Sequence, residues 1–233
     1  MSDGFVIHRH HGNVVTAIFT LLLACVVGVI FLALGEVAFK RIGFNSLQFV
    51  AIMIGTLLGS TVNIPVHEVK SVEPLVEVRE VRVFWMLYRI PRVRYRQVST
   101  VVAVNVGGAI IPILVSAYIL WLHPGALPYA LVGTVVTAIL VHLMAKKVRG
   151  VGIVTPALLP PFAAALISFL LVPGSPAVVA YVSGSIGALV GADLTNLRGI
   201  AKLGAPMASI GGAGTFDGVF LTGLMAVLLA SLL

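Results

Sequence analysis

The chain has 233 residues, of which 59% are hydrophobic and only 10% charged, and its mean hydropathy is +1.11. That balance excludes an ordinary soluble domain and points to a polytopic membrane protein whose solvent is lipid. The formal net charge of +7 does not imply nucleic acid, because the basic residues sit beside apolar runs, where attraction to anionic lipid headgroups accounts for them.

Apolar runs near the ~20 residues needed to cross a bilayer fall at about 14–36, 46–61, 99–121, 127–145, 152–172, 177–193 and 215–233. They predict an all-α polytopic membrane protein with seven transmembrane helices. The first run is too long and too weakly flanked for a cleaved signal peptide, so it reads as a span. Cys25 is the single cysteine and lies inside it, which leaves neither a disulfide framework nor a thiolate metal site. At its end, Glu36 and Lys40 are spaced for an i,i+4 ion pair.

Between the second and third spans, residues 63–98 are not membrane-spanning. Val76, Val78, Val81 and Val83 alternate with Glu77, Arg79 and Arg82, and Val93 and Tyr95 alternate with Arg92, Arg94 and Arg96. This period of two predicts a β-hairpin inserted on the cytoplasmic side. Its apolar middle, Phe84 to Tyr88, suits contact with the headgroup layer.

With seven spans, thirteen of the fifteen Lys and Arg residues fall on one side and only Lys40 and Arg41 on the other. The positive-inside rule then puts the N-terminus in the cytoplasm of a multi-pass cell-membrane protein and the C-terminus outside. The remaining spans continue an internal pattern. Gly59-Ser60-Thr61-Val62-Asn63 resembles Gly191-Ala192-Asp193-Leu194-Thr195-Asn196, and Asn105-Val106-Gly107-Gly108-Ala109 resembles Ser209-Ile210-Gly211-Gly212-Ala213. A single membrane domain, 1–233, is expected as a 3+1+3 duplication: repeat 1 at about 14–121 with the insertion 63–98, a linker helix 127–145, and repeat 2 at about 152–233.

Polar side chains gather at the cytoplasmic ends of these spans: Asn63, Asn105, His142, Thr155, Asp193, Thr195, Asn196, Thr215 and Asp217. Lipid cannot satisfy them, so a shared cavity or mutual hydrogen bonding is expected. The run from Gly204 to Gly214 is too rich in Gly and Pro for continuous helix. It is expected to turn there and bring Asp217, at the start of the last span, to the depth of Asp193. Two adjacent carboxylates can share a proton and activate water. The same oxygens, with Asn63, Asn105 and Asn196, would also suit a cation or proton site between repeats of a small-solute transporter. A purely structural use is the third possibility: Asp217 charging a helix N-terminus, Asp193 pairing with Arg198 or Lys202.

Other groups carry less. His8, His10 and His11 form a terminal tract with no partner carboxylate. His67-Glu68 lacks a second histidine at helical spacing, and the spaced glycines Gly184, Gly187 and Gly191 suit close helix contact. No metal and no cofactor is expected.

Asp193 at the end of one span, followed by a Gly-rich run and Asp217, resembles the dyad of presenilin-type and prepilin-peptidase-type intramembrane aspartyl proteases. Thr155-Pro156-Ala157-Leu158 contains the Pro-Ala-Leu triplet that presenilin-type enzymes place beside their dyad, here ahead of the aspartates. The second aspartate follows Gly214-Thr215-Phe216 where that family has Gly-x-Gly. The resemblance implies Asp193 and Asp217 as catalytic pair and a membrane-protein substrate, with Asn63, Asn105, Thr155, Pro156, Ala157, Leu158, Asn196 and Thr215 lining the substrate site. The Gly191-Ala192-Asp193-Leu194 and Ser209-to-Gly218 segments also resemble a family of prokaryotic integral membrane proteins without an assigned function.

Overall fold

The computed structural model of the chain describes residues 14–83, 85–148, 152–172, 176–197, 207–212 and 218–232. Seven α-helices are found there: α1 (Val14–Arg41), α2 (Ser46–Gly59), α3 (Ile111–Leu122), α4 (Leu127–Met144), α5 (Leu159–Leu171), α6 (Pro176–Ala188) and α7 (Gly218–Ala230). Five strands interrupt them: β1 (Asn63–Val83), β2 (Met86–Asn105), β3 (Lys146–Val148), β4 (Gly152–Val154) and β5 (Met207–Ile210).

Local chemistry sets the α1–α2 corner. Gly43 takes a left-handed backbone (φ 101°). Phe44 and Gly43 donate back to Phe39 and Lys40, a Schellman ending that only glycine adopts cheaply. Asn45 then starts α2, its side chain accepting from the Gln48 amide at 2.8 Å while Gln48 accepts from the Asn45 amide at 2.9 Å. This reciprocal capping box satisfies two of the helix's orphan donors.

The helices pack around α6. Its residues Ala177 to Ser185 are all buried, as expected of a helix with no polar face that lies inside a bundle. Small residues allow the approach. A Cβ on Gly187 would stand 2.7 Å from Thr137 Cβ, and one on Gly191 would stand 2.4 Å from the Ala138 carbonyl oxygen, so α4 and α6 nearly touch backbones. Tyr181 sits in an aromatic cluster, edge-on to Phe39 at 5.8 Å, and Phe39 in turn meets Phe44, Phe49 and Phe220. By contrast α1 packs chiefly through its C-terminal part, where Gly35, Ala38 and Phe39 are buried and Phe31 touches the core, while none of residues 16–34 is fully buried.

The seven-span, all-α expectation is overturned. Among the described residues, three helices are long and apolar enough to cross a bilayer: Thr16–Arg41, Pro124–Met144 and Pro176–Asn196. They make the chain a membrane protein. The four other apolar helices run from Ser46–Gly59, Val106–Leu122, Leu159–Leu171 and Gly218–Ala230. Thirteen residues reach about 20 Å at 1.5 Å per residue, short of a ~30 Å hydrocarbon core. The physical reason lies in what hydropathy cannot distinguish. Residues 99–105 are apolar and β-branched, and they continue β2 rather than open a helix. Pro156, Pro160 and Pro161 delay α5 to Leu159.

The strands form a 3-stranded sheet in the order β1-β2-β5 and a separate pair, β3-β4. β1 and β2 run antiparallel from Asn63 opposite Asn105 to Val83 opposite Met86, with one irregularity between Pro65 and His67. The strand pairing therefore extends beyond 63–98 to residue 105. β5 joins only its base, parallel to β2 from Val101–Met207 to Val104–Ile210. The rest is a two-stranded ribbon whose tip residue Trp85 is 98% exposed.

Candidate functional site

The sheet base, the end of α2 and the end of α6 come together, and Asn63, Asn105 and Asp193 are tied in there. After Asn105 the chain makes a wide π-turn, Val106–Ile110, before α3 begins. The turn is pressed against α2: a Cβ on Gly107 would lie 2.2 Å from the Thr56 carbonyl oxygen and 2.4 Å from the Ser60 nitrogen. Only glycine fits. Asn105 caps the turn, its Oδ1 accepting from the Gly108 amide at 2.8 Å, while its Nδ2 donates to the Ser60 carbonyl at 2.8 Å and to Asn63 Oδ1 at 3.1 Å. Asn63 Oδ1 also accepts from Ser209 Oγ at 2.5 Å. Three distant segments are thus tied by one amide-hydroxyl knot.

Two of the residues expected at the substrate site are also hydrogen-bonded into the fold. Asn63 and Asn105 face each other and the backbone, so their polar atoms serve the fold. Removing Asn63 takes away the acceptor of Ser209 Oγ and of one Asn105 Nδ2 hydrogen, and Asn63→Ala is expected to cost about 1–3 kcal/mol. A melting temperature lowered by several degrees would bear this out; an unchanged melting temperature would contradict it.

Asp193 ends a second π-turn, Leu189–Asp193, that continues α6. Its Oδ2 accepts the Gly211 amide at 2.6 Å. Gly211 follows β5 with φ 75°, and a Cβ there would come within 2.6 to 2.7 Å of the Gly108 and Ala109 backbone. The carboxylate is thereby fixed to the segment that leads toward Asp217. On the far side of that segment, Val219 in the first turn of α7 packs with Leu189 and Ala109, beside Val104 and Ile210. β4 also touches the Leu189–Asp193 turn, which brings the start of Thr155-Pro156-Ala157-Leu158 toward it. Thr155 is half-buried and the other three are exposed.

Asn196 is spent on α6. Its Nδ2 donates to the Ala192 and Gly191 carbonyls at 2.9 and 3.2 Å, and Thr195 Oγ1 donates to Gly191 at 2.8 Å while sharing a 2.7 Å hydrogen bond with His142 Nδ1. These bonds close a helix end whose last carbonyls have no helical partner. Thr215 and Asp217 lie outside the described residues. Among the described residues no group of three His, Cys, Asp or Glu could hold a metal ion.

Ser209 and Gly211 are the participants that residue-type reasoning passes over. They were visible only as half of a Gly-Gly pattern, since a serine hydroxyl and a glycine amide carry no charge to mark them.

The chain belongs to a family of proteins of unknown function, DUF1614, whose model matches residues 57–229. No curated protein and no solved structure matches it.

Proposed function

We propose that the chain is a membrane-embedded aspartyl hydrolase, with Asp193 and Asp217 as its acid-base pair at the cytoplasmic end of the helices and the N-terminus inside. The observation that carries this reading is how residues 212–217 are bracketed. Gly211 is bonded to Asp193 itself, and Val219 packs on Leu189, one turn before Asp193. In sequence, Asp217 thus falls between one residue bonded to Asp193 and another packed one helical turn from it.

In this mechanism one carboxylate takes a proton from water as the hydroxide attacks a peptide carbonyl carbon. The other gives a proton to the carbonyl oxygen, and the resulting diol collapses as the amine nitrogen leaves with a proton. The Gly211 amide holds one oxygen of Asp193 in place and so orients the other. Thr155 to Leu158, which follow the strand that touches the Asp193 turn, would form one wall of the substrate groove. A substrate helix must unwind to expose its carbonyl. Among the described residues β5 pairs with β2 alone, and its other edge is where such an extended strand would add.

Cation- or proton-coupled transport is the second reading. The π-turns before α3 and at the end of α6 favour it, since interrupted helices supply ion sites in transporters. The two separate in liposomes containing the purified chain and single-span helical peptides. The hydrolase reading requires peptide cleavage that incorporates oxygen from labelled water, with no ion gradient. Uptake of a tracer cation or a pH change in the lumen without cleavage would overturn it in favour of transport.

A further inference from the structure

Among the described residues, the middle of one face of the β1-β2 ribbon is an exposed apolar stripe. Because side chains alternate across a strand, Val72, Val76 and Val78 of β1 share a face with Leu87, Pro91, Val93 and Tyr95 of β2. The valines there are 54–62% exposed and Tyr95 75%. Charges flank this stripe in a definite order. Glu68 and Lys70 lie toward the base, and Glu80, Arg82 and Arg89 toward the tip, with Glu80 bonded to Arg89 at 3.1 Å. At the level of the stripe the opposite face carries Glu77, Arg92 and Arg94, with Met86, Tyr88 and Ile90 following only toward the tip. A two-stranded ribbon with an open apolar face is marginal in water.

We propose that this face is covered by the same face of a second copy, stacked about a two-fold axis running along the ribbon. That axis keeps both helical bodies at one end, as insertion of two copies in one bilayer demands. Each rung of β1 then lies over the matching rung of the partner's β2, so Val76 meets the partner's Val93 and Val78 the partner's Pro91. Glu80 meets the partner's Arg89, and no like charges oppose. The surface is self-complementary, the requirement for an isologous contact. From the Glu68 rung to the Arg82 rung the face spans roughly 46 Å by 10 Å at ordinary strand spacings. Two such faces bury on the order of 1,000 Å², the size at which specific association begins. An anionic bilayer would attract Lys70, Arg82 and Arg89 but repel Glu68 and Glu80, whereas the stacked copy opposes no like charges.

The test uses single-cysteine copies in a Cys25→Ala background, reconstituted in phosphatidylglycerol liposomes with a short thiol-to-thiol linker. A Val76→Cys copy mixed with a differently tagged Val93→Cys copy is expected to give a covalent mixed dimer. Its yield should exceed by roughly tenfold that of a Glu77→Cys and Arg92→Cys mixture, whose positions share the same ribbon level on the other face. Equal yields from both faces, or no dimer from either, overturn the proposal. So does protection of Val76→Cys from an aqueous maleimide by anionic liposomes without any dimer, which would assign the face to the bilayer instead.

Discussion

Asp193→Asn and Asp217→Asn are each expected to lower peptide hydrolysis by a factor of about 10² to 10⁴, the contribution of a positioned acid or base. The double variant should be no worse than either single one, because the two carboxylates act as one unit. Asparagine is the informative replacement at 193. Its side-chain oxygen still accepts the Gly211 amide, so the 2.6 Å tether survives and lost activity reflects lost proton transfer. A merely structural role leaves a different trace. Asp217 as a charge at the start of α7 would be worth about 0.3–1 kcal/mol of stability, and hydrolysis would persist in Asp217→Asn. Cleavage rates and melting temperatures measured on the same preparations distinguish the two, and a variant that melts lower but cleaves normally would remove its aspartate from the mechanism.

Gly107→Ala is expected to have the largest structural effect of any single methyl added to the chain. The new Cβ would meet Thr56 O at 2.2 Å and Ser60 N at 2.4 Å, both backbone atoms of α2 that no rotamer change can move. Separating the π-turn from α2 would also pull Asn105 from the Ser60 carbonyl and loosen the knot with Asn63 and Ser209. A loss of about 4 kcal/mol or more is expected, in the range reserved for overpacking and broken buried networks. Gly28→Ala is the control, since nothing lies within 4 Å of a Cβ there. Thermal unfolding in detergent checks the pair: Gly28→Ala should melt like the unmodified chain and Gly107→Ala far below it or not fold. Near-equal melting temperatures would mean that α2 and the turn do not approach as described.

How much of this is legible in the sequence depends on which physical signal each part emits. α1, α4 and the α6 region are long apolar runs, and they are the three segments able to span a bilayer. The ribbon emits the period of two, so its existence is readable from Val76 to Arg96. Its base is not, because Val101-Val102-Ala103-Val104 is buried or half-buried rather than alternating, and a short apolar run reads equally as helix. That ambiguity is what inflates the expected number of spans. At the site, Asn63 and Asn105 are recognisable as polar groups that lipid cannot satisfy. Their destination is set by contacts between residues as far apart as Asn63 and Ser209, for which no local pattern exists. The Gly-Gly pairs are legible as close approaches, but which backbone each one meets is a property of the assembled fold.

The central claim is that Asp193 and Asp217 share one site, and coupled titration tests it most directly. Two carboxylates about 5 Å apart interact by roughly 3 kcal/mol at an effective dielectric constant near 20. Removing one must then move the other's titration midpoint by more than about one pH unit. Infrared difference spectra of the carboxyl stretch, recorded across pH on the unmodified chain and on Asp217→Asn, give that midpoint for Asp193. A displacement of at least about one pH unit on removal of Asp217 is the predicted result, and an Asp193 midpoint that stays where it was would contradict the shared site.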